Sequence, residues 1–530
     1  MEQQNKTKNR VWFLLPAVLH WLITFFTDRF VFTVRPADEF FNYTICKVLL
    51  LLLILFLYRT LYRIFFSENR KESVEYQTAK YALFYLIPIV LVLMIKLPQG
   101  FLSNDEALIF KEASQLASYT WFYYLTTYYY IVTMMLIPCS LGPILFKVAL
   151  QLAVCGYCVY RLCRYLENAD REYSNASALS GHGKTGSFFG KFLYLAFLLP
   201  PVLAYTTSAH RIPVYYLLYL LMIFVLLMDY LEQKTPTKGK LAALLILGAV
   251  LTQWRTEGIY LIIFVPVLLI LSYRTLRHKK QAFLLILASL AIQYVITIPQ
   301  NGALIPDRLN DQAENRMGPF YAYTITNMYR NGLDLQKNAA DLKEVNRYLS
   351  VDTIAAINQD LKDINYEDVL ILYYEGYTGT QPDATPEDYQ AYVDACNRIF
   401  IHNPLVLLKT RIGAFHYAAT PYRIVWPTGG FKGLISFGIS IIKTCAYNLY
   451  VPHLILICLW LYSVFRRRPF TFFLTSGLLC HWLIVFVLAP ASYFKYYFPI
   501  YMTMYFYLIL LIIGAVYKKC RPGKTISFLV

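Results

Sequence analysis

Apolar runs long enough to cross a bilayer recur from one end of this chain to the other, and they restrict its fold more than any other feature. A spanning helix needs about 20 predominantly apolar residues. Candidate spans lie at about 11–34, 45–65, 81–97, 142–163, 188–207, 213–231, 240–254, 258–273, 282–300, 448–465, 470–489 and 497–517. The expected fold class is therefore all-α: a polytopic integral membrane protein with about 12 transmembrane helices and a small, mostly helical external subdomain. A length of 530 residues would otherwise allow several soluble domains. A charged fraction of 15% and a mean hydropathy of +0.44 argue against them, since soluble domains carry about 25% charged residues. The pair at 240–273 reads either as a short hairpin around Arg255-Thr256-Glu257-Gly258 or as one long helix with a buried charged step.

The net charge of +17 raises the question of nucleic acid. The cations, however, sit in short clusters between apolar runs, such as Arg466-Arg467-Arg468, and form no basic face or known nucleic-acid module. That is the pattern of cytoplasmic loops under the positive-inside rule. Lys6, Lys8 and Arg10; Arg59, Arg63, Arg70 and Lys71; Arg161 and Arg164; Lys234 and Lys238; and Arg274, Arg277, Lys279 and Lys280 all fall on one side. Both termini are then expected in the cytoplasm, with a bacterial plasma membrane as the expected location. Asp28-Arg29 and Arg35 follow the first apolar run without a small-residue cleavage site, so that run reads as a retained helix.

Three regions follow: an N-terminal transmembrane module at 1–300, an acidic external segment at 301–425, and C-terminal transmembrane helices at 426–530. Residues 301–405 hold 16 of the 32 acidic side chains against 8 Lys and Arg. Stretches 338–350 and 387–401 pattern as amphipathic helices, and Thr385-Pro386-Glu387-Asp388 reads as a helix start. Residues 174–187 read as a flexible cytoplasmic loop; its Gly183-Lys184-Thr185 lacks the upstream glycine of a P-loop. Cys155 and Cys158 have CxxC spacing inside an apolar helix, without a second pair to complete a zinc site.

The richest chemistry lies in the external loop at 98–140, which opens with Gly100-Phe-Leu-Ser-Asn104-Asp105-Glu106 and continues to Lys111 and Glu112. Asn104 or Asp105 can cap a helix whose positive end favours the acids. A carboxylate there can equally act as a base toward a substrate entering from outside. Such a loop resembles the first external loop of GT-C-type glycosyltransferases, the polyprenyl-phosphate-sugar-dependent membrane enzymes that include protein mannosyltransferases and aminoarabinose transferases. Thr252-Gln-Trp-Arg255-Thr-Glu257-Gly258 is similar to a short outer hairpin of that family. Ser492-Tyr493-Phe-Lys495-Tyr496-Tyr497-Phe498-Pro499 is similar to its element before the last span, with Lys where Arg is common.

The resemblance implies catalysis by Asp105, with Glu106 as the adjacent acid. It implies a lipid-linked sugar donor and a glycan, lipid or protein acceptor. A leaving lipid phosphate calls for a cation at the outer boundary: Lys495, Arg255, Arg211 and Arg423 are the candidates, with Glu112, Glu257 and Tyr496 as further site residues. Each has a plainer reading. Lys495 near a helix end can snorkel, Arg255 can pair with Glu257, and His210-Arg211 can be a solvated loop. His402 and His416 read as structural. No cofactor is expected. The sequence has no HExxH motif or Cys/His cluster, although the Asp105–Glu106 pair admits a divalent ion. The alternatives are a transporter or flippase of lipid-linked sugars, another surface-polysaccharide enzyme, or a membrane scaffold. Acids gathered outside rather than at the midplane favour the transferase.

Overall fold

The computed structural model describes residues 12–96, 104–117, 123–177, 185–301, 318–360, 380–426, 430–520 and 527–530, with side chains at 104–105, 172–177, 185, 299–301 and 360 outside that description. Among them, the regular structure is helical. Eight helices are long and apolar enough to cross a membrane: Phe40–Phe65, Val74–Lys96, Gly142–Arg171, Ile212–Leu231, Lys279–Ile298, Gly430–Phe465, Pro469–Leu488 and Phe494–Cys520. A ninth is the pair Gly186–Phe197 and Pro200–Thr206, bent by 65°. Leu199, at ψ 130, precedes Pro200 and Pro201, and a residue before proline is pushed out of the helical region. The chain is thus an all-helical, multi-pass membrane protein by the length and composition of its helices.

Twelve spans are not reached by this measure. The first run forms only Leu14–Thr27, 14 residues, before a 3-10 turn at Asp28–Phe30. The 240–273 stretch is two helices, Lys238–Thr252 of 15 residues and Leu261–Ser272 of 12, joined by a 3-10 turn at Thr256–Tyr260. At 1.5 Å per residue, 14 or 15 residues cover about 21–23 Å, short of a hydrocarbon core of about 30 Å. Conversely, the last spans begin earlier than their apolar runs suggest, because Gly430–Ala446 is also helical.

Two compact units divide the chain: residues 1–313, 455–478 and 502–530, and residues 314–454 and 479–501. In the first, Ile212–Leu231 is packed on nearly all sides. Val74–Lys96 instead turns Leu83, Ile87, Leu91 and Ile95 outward, as a lipid-facing helix must. A methyl group on Gly156 would collide with the Thr78 carbonyl, so small residues let these two helices approach closely. Cys155 and Cys158 are buried and free on that same helix.

The second unit contains a small helical core. Gly318–Arg330, Ala339–Val345, Val351–Asp360 and Pro386–His402 bury Phe320, Tyr323, Val345, Ile357, Tyr392 and Ile399 among one another. The expected start at Thr385 is present as a capping box. Its hydroxyl accepts from the Asp388 amide at 3.2 Å, while Asp388 accepts from the Thr385 amide at 3.0 Å, with Pro386 at the first helical position. The stretch expected at 338–350 is helical only over Ala339–Val345. Of the loop expected at 174–187, 174–177 instead end the helix Gly142–Ser177 and 185–187 begin the helix Thr185–Lys191, while 178–184, with Gly183-Lys184, lie outside the described residues.

Candidate functional site

The helix Asn104–Ser114 begins at the acidic pair. Its helical period places Glu106, Ile109 and Ala113 on one face, and all three are buried. Glu106 is therefore turned inward, 2% exposed, with its carboxylate 3.0 Å from His210 Nδ1. The Asp105 side chain lies outside the described residues. One turn further, Glu112 is fully buried, 3.5 Å from the Thr127 hydroxyl.

His210 is held in place through its backbone. The buried Lys147 ammonium donates to the carbonyls of Ser208 and His210, the latter at 2.6 Å, and the Tyr130 hydroxyl donates to Ala209 O between them. Lys96, ending its helix, donates to Ala204 O. The His210 ring lies 5.2 Å from the Tyr205 ring. His210 thus meets the Glu106 carboxylate, and Lys147 lies close enough to feel the charges of Glu106 and Lys96. A buried carboxylate beside an imidazole and a buried amine is a group that can accept and pass on a proton.

Arg211 starts the helix Ile212–Leu231, and its carbonyl accepts from Trp254 Nε1 at 3.2 Å. That contact ties the 254–257 turn to the 208–211 loop. Arg255 is buried and forks onto Glu257, its Nε 3.1 and 3.0 Å from the two carboxylate oxygens. This is the neutralised turn of the plainer reading, a bidentate geometry that leaves Arg255 little charge for a second anion.

The other candidates belong to the second unit. Lys495 lies in a 3-10 turn, Phe494–Tyr497, with its ammonium 4.5 Å from the centre of the Tyr493 ring. The Tyr496 carbonyl is 3.0 Å from His481 Nε2. Arg423 is exposed in an extended stretch. His416 Nδ1 is 2.7 Å from the Tyr450 hydroxyl, and His402 closes a helix.

Sequence reasoning passed over Lys147, Lys96, Tyr130 and Arg411. Arg411 sits on the helix Pro404–Ala419, 4% exposed, donating to Ala489 O at 2.8 Å and to the Thr324 hydroxyl, with its guanidinium 4.9 Å from the centre of the Phe320 ring. Burial pulls its pKa down to about 10, and its Nε has no hydrogen-bond partner. A lone cation inside an apolar run is the signal that would have found Lys147; the candidate cations were sought in the outer loops, and 142–163 was read only as a span. Among the described residues, no three His, Cys, Asp or Glu side chains converge as a metal site.

No protein-family model, no curated protein and no solved structure matches the chain.

Proposed function

We propose that the chain is a membrane glycosyltransferase of the GT-C type, moving a sugar from a polyprenyl-phosphate donor to a glycan, lipid or protein acceptor on the outer side of a bacterial plasma membrane. The observation that carries this reading is Glu106, buried against His210 beside Lys147. Ionisable groups enclosed at the ends of membrane helices are costly and mark function by default. The reading takes both termini as cytoplasmic. It also takes the three short apolar helices, Leu14–Thr27, Lys238–Thr252 and Leu261–Ser272, as crossing the membrane with the nine longer ones, their ends covered by neighbouring protein.

In the proposed reaction, an acceptor hydroxyl attacks the anomeric carbon as Glu106 or Asp105 takes its proton. The bond from that carbon to the phosphate oxygen breaks, and the lipid phosphate leaves with the electron pair. Attack opposite the leaving group inverts the anomeric centre. Arg211 and the charge of Lys147 support an anion in the first unit. Lys495, Arg423 and the buried Arg411 are the cations of the second. Arg255, already neutralised by Glu257, is assigned to the turn.

A flippase of lipid-linked sugars is the second reading. It is favoured by the buried pair of Lys47 and Asp28 at 2.7 Å, with Lys47 inside the helix Phe40–Phe65. Proteoliposomes loaded with a polyprenyl-phosphate sugar and an acceptor extract separate the two. Release of polyprenyl phosphate with a glycosylated acceptor supports the transferase. Movement of intact donor between leaflets supports the flippase, and neither result sinks both.

A further inference from the structure

The opposite end of the first unit carries a second site, independent of the transferase reading. A cleft of about 260 Å³ opens where the connections after Ile212–Leu231 and after Leu261–Ser272 come together. Both connections belong to the positively charged side of the chain. Lys234, Arg274 and Arg277 line the cleft with the hydroxyls of Thr235, Ser272 and Thr275, and among the described residues its walls contain no acidic side chain.

Three features show that this cleft is built rather than merely basic. First, Arg274–Arg277 is a 3-10 turn, in which residues three apart eclipse one another, so both guanidinium groups start from one side of the turn. Arg277 donates to Leu271 O at 2.8 Å, and neither arginine has a carboxylate partner among the described residues. Second, the nearby acids are already engaged, Glu232 partly with the cleft's own Lys234, so the cleft's remaining positive charge rests on Arg274 and Arg277. Glu232 accepts from Arg161 at 3.1 Å through both oxygens and pairs with Lys234; Asp229 pairs with Lys240 and accepts from the Tyr273 hydroxyl. Third, Ser272 is 5% exposed, and its hydroxyl has no hydrogen-bond partner. A buried hydroxyl without a partner costs free energy unless a ligand satisfies it.

We propose that this cleft binds a phosphate group, with Arg274 and Arg277 meeting its charge and Ser272 donating to one oxygen. Its position at the ends of apolar helices favours the headgroup of an anionic phospholipid of the cytoplasmic leaflet as the source, since basic pockets between membrane helices select such headgroups. A small soluble phosphate ester has the same chemistry and is the other source.

The test uses the full-length protein in neutral detergent, titrated with phosphatidylglycerol, phosphatidylcholine or glycerol 3-phosphate, with bound ligand counted by native mass spectrometry. The wild type should retain one phosphatidylglycerol in preference to phosphatidylcholine. Arg274→Ala or Arg277→Ala should weaken retention about 5-fold each, and the double variant about 30-fold, from the attraction per cation near an anionic surface. Ser272→Ala should weaken it about 3-fold while leaving the melting temperature of the lipid-free protein unlowered, because no protein hydrogen bond is lost. Glycerol 3-phosphate binding as tightly as the lipid, with the same loss in the variants, assigns the soluble source and supports the site. Unchanged retention in the double variant overturns the proposal. So does an equal loss in Arg466→Ala/Arg468→Ala, which would show only diffuse attraction to a basic surface.

Discussion

The two units treat charge in opposite ways. In the first, Lys147, Glu106, Arg255 and Asp28 are enclosed, and much of their neutralisation comes from backbone carbonyls or a single partner. In the helical core of the second, Arg347 meets Asp388 and Glu344, and Arg398 meets Asp341, all on the surface. Surface pairs contribute little to stability because water screens them and long side chains must be ordered. Enclosed charges are worth more, or cost more, because no water replaces a lost partner. The helical core within 318–402 therefore resembles a small soluble domain that folds on its own apolar side chains. The first unit, the membrane unit in that it holds most of the candidate spans, places its charges where chemistry or an anion would justify the cost. Arg411 is the exception in the second unit: a buried guanidinium with an unpartnered nitrogen.

The largest effect expected from this comparison is all-or-none. If the acidic 301–405 segment faces outside, a cysteine replacing Lys337 reacts with an impermeant thiol reagent in intact cells, and one replacing Lys234 does not. The reverse pattern would turn the whole assignment over.

Next comes stability in the membrane unit. Lys147→Met leaves the carbonyls of Ser208 and His210 without their donor. It should cost about 3 kcal/mol by the usual penalty for unmade buried hydrogen bonds, read as a lower melting temperature in detergent. Arg411→Met should cost less, because it removes a desolvated cation that has no carboxylate partner among the described residues. If Arg411 serves the donor phosphate, the same variant loses donor binding while remaining folded. Equal destabilisation by both substitutions would erase the distinction between the units.

The smallest effect concerns surface charge. Arg347→Ala should leave the melting temperature unchanged within error. Asp388 is held below its ordinary pKa by the Thr385 backbone amide and hydroxyl, with help from Arg347. A depressed carboxyl contributes stability above its unfolded pKa of about 4 and loses it as the pH falls further. Asp388→Asn should therefore flatten the fall in melting temperature between about pH 5 and pH 3. A fall as steep as the wild type's would remove Asp388 from the acid response.

Much of the fold was legible because apolar run length and helical period are local properties. The Thr385 cap and the Pro386–His402 helix were readable for the same reason: four adjacent residues carry the signal. Helix count was less legible. Run length does not show where a proline pair bends a helix at Leu199, nor where Asp28 ends one after Thr27. The candidate site was half legible. Glu106, Arg255 and Glu257 stood out as acids and cations in aromatic loops. The contact of Glu106 with His210 joins residues far apart in the chain, and only the fold brings them together. Lys147 was hidden by its own run, read as a span rather than as a span with a charge inside it.

In the proposed reaction the acidic start of the Asn104–Ser114 helix performs chemistry rather than capping. The most direct test compares purified wild type, Glu106→Gln and Asp105→Asn at matched protein level and matched melting temperature. The assay follows polyprenyl phosphate released from a polyprenyl-phosphate sugar donor in the presence of acceptor. Turnover by the wild type is expected, with a loss of about 100-fold or more in one of the two variants, as for removal of a general base. Full turnover by both variants would contradict that role and leave the two acids as parts of a helix cap and a buried contact with His210.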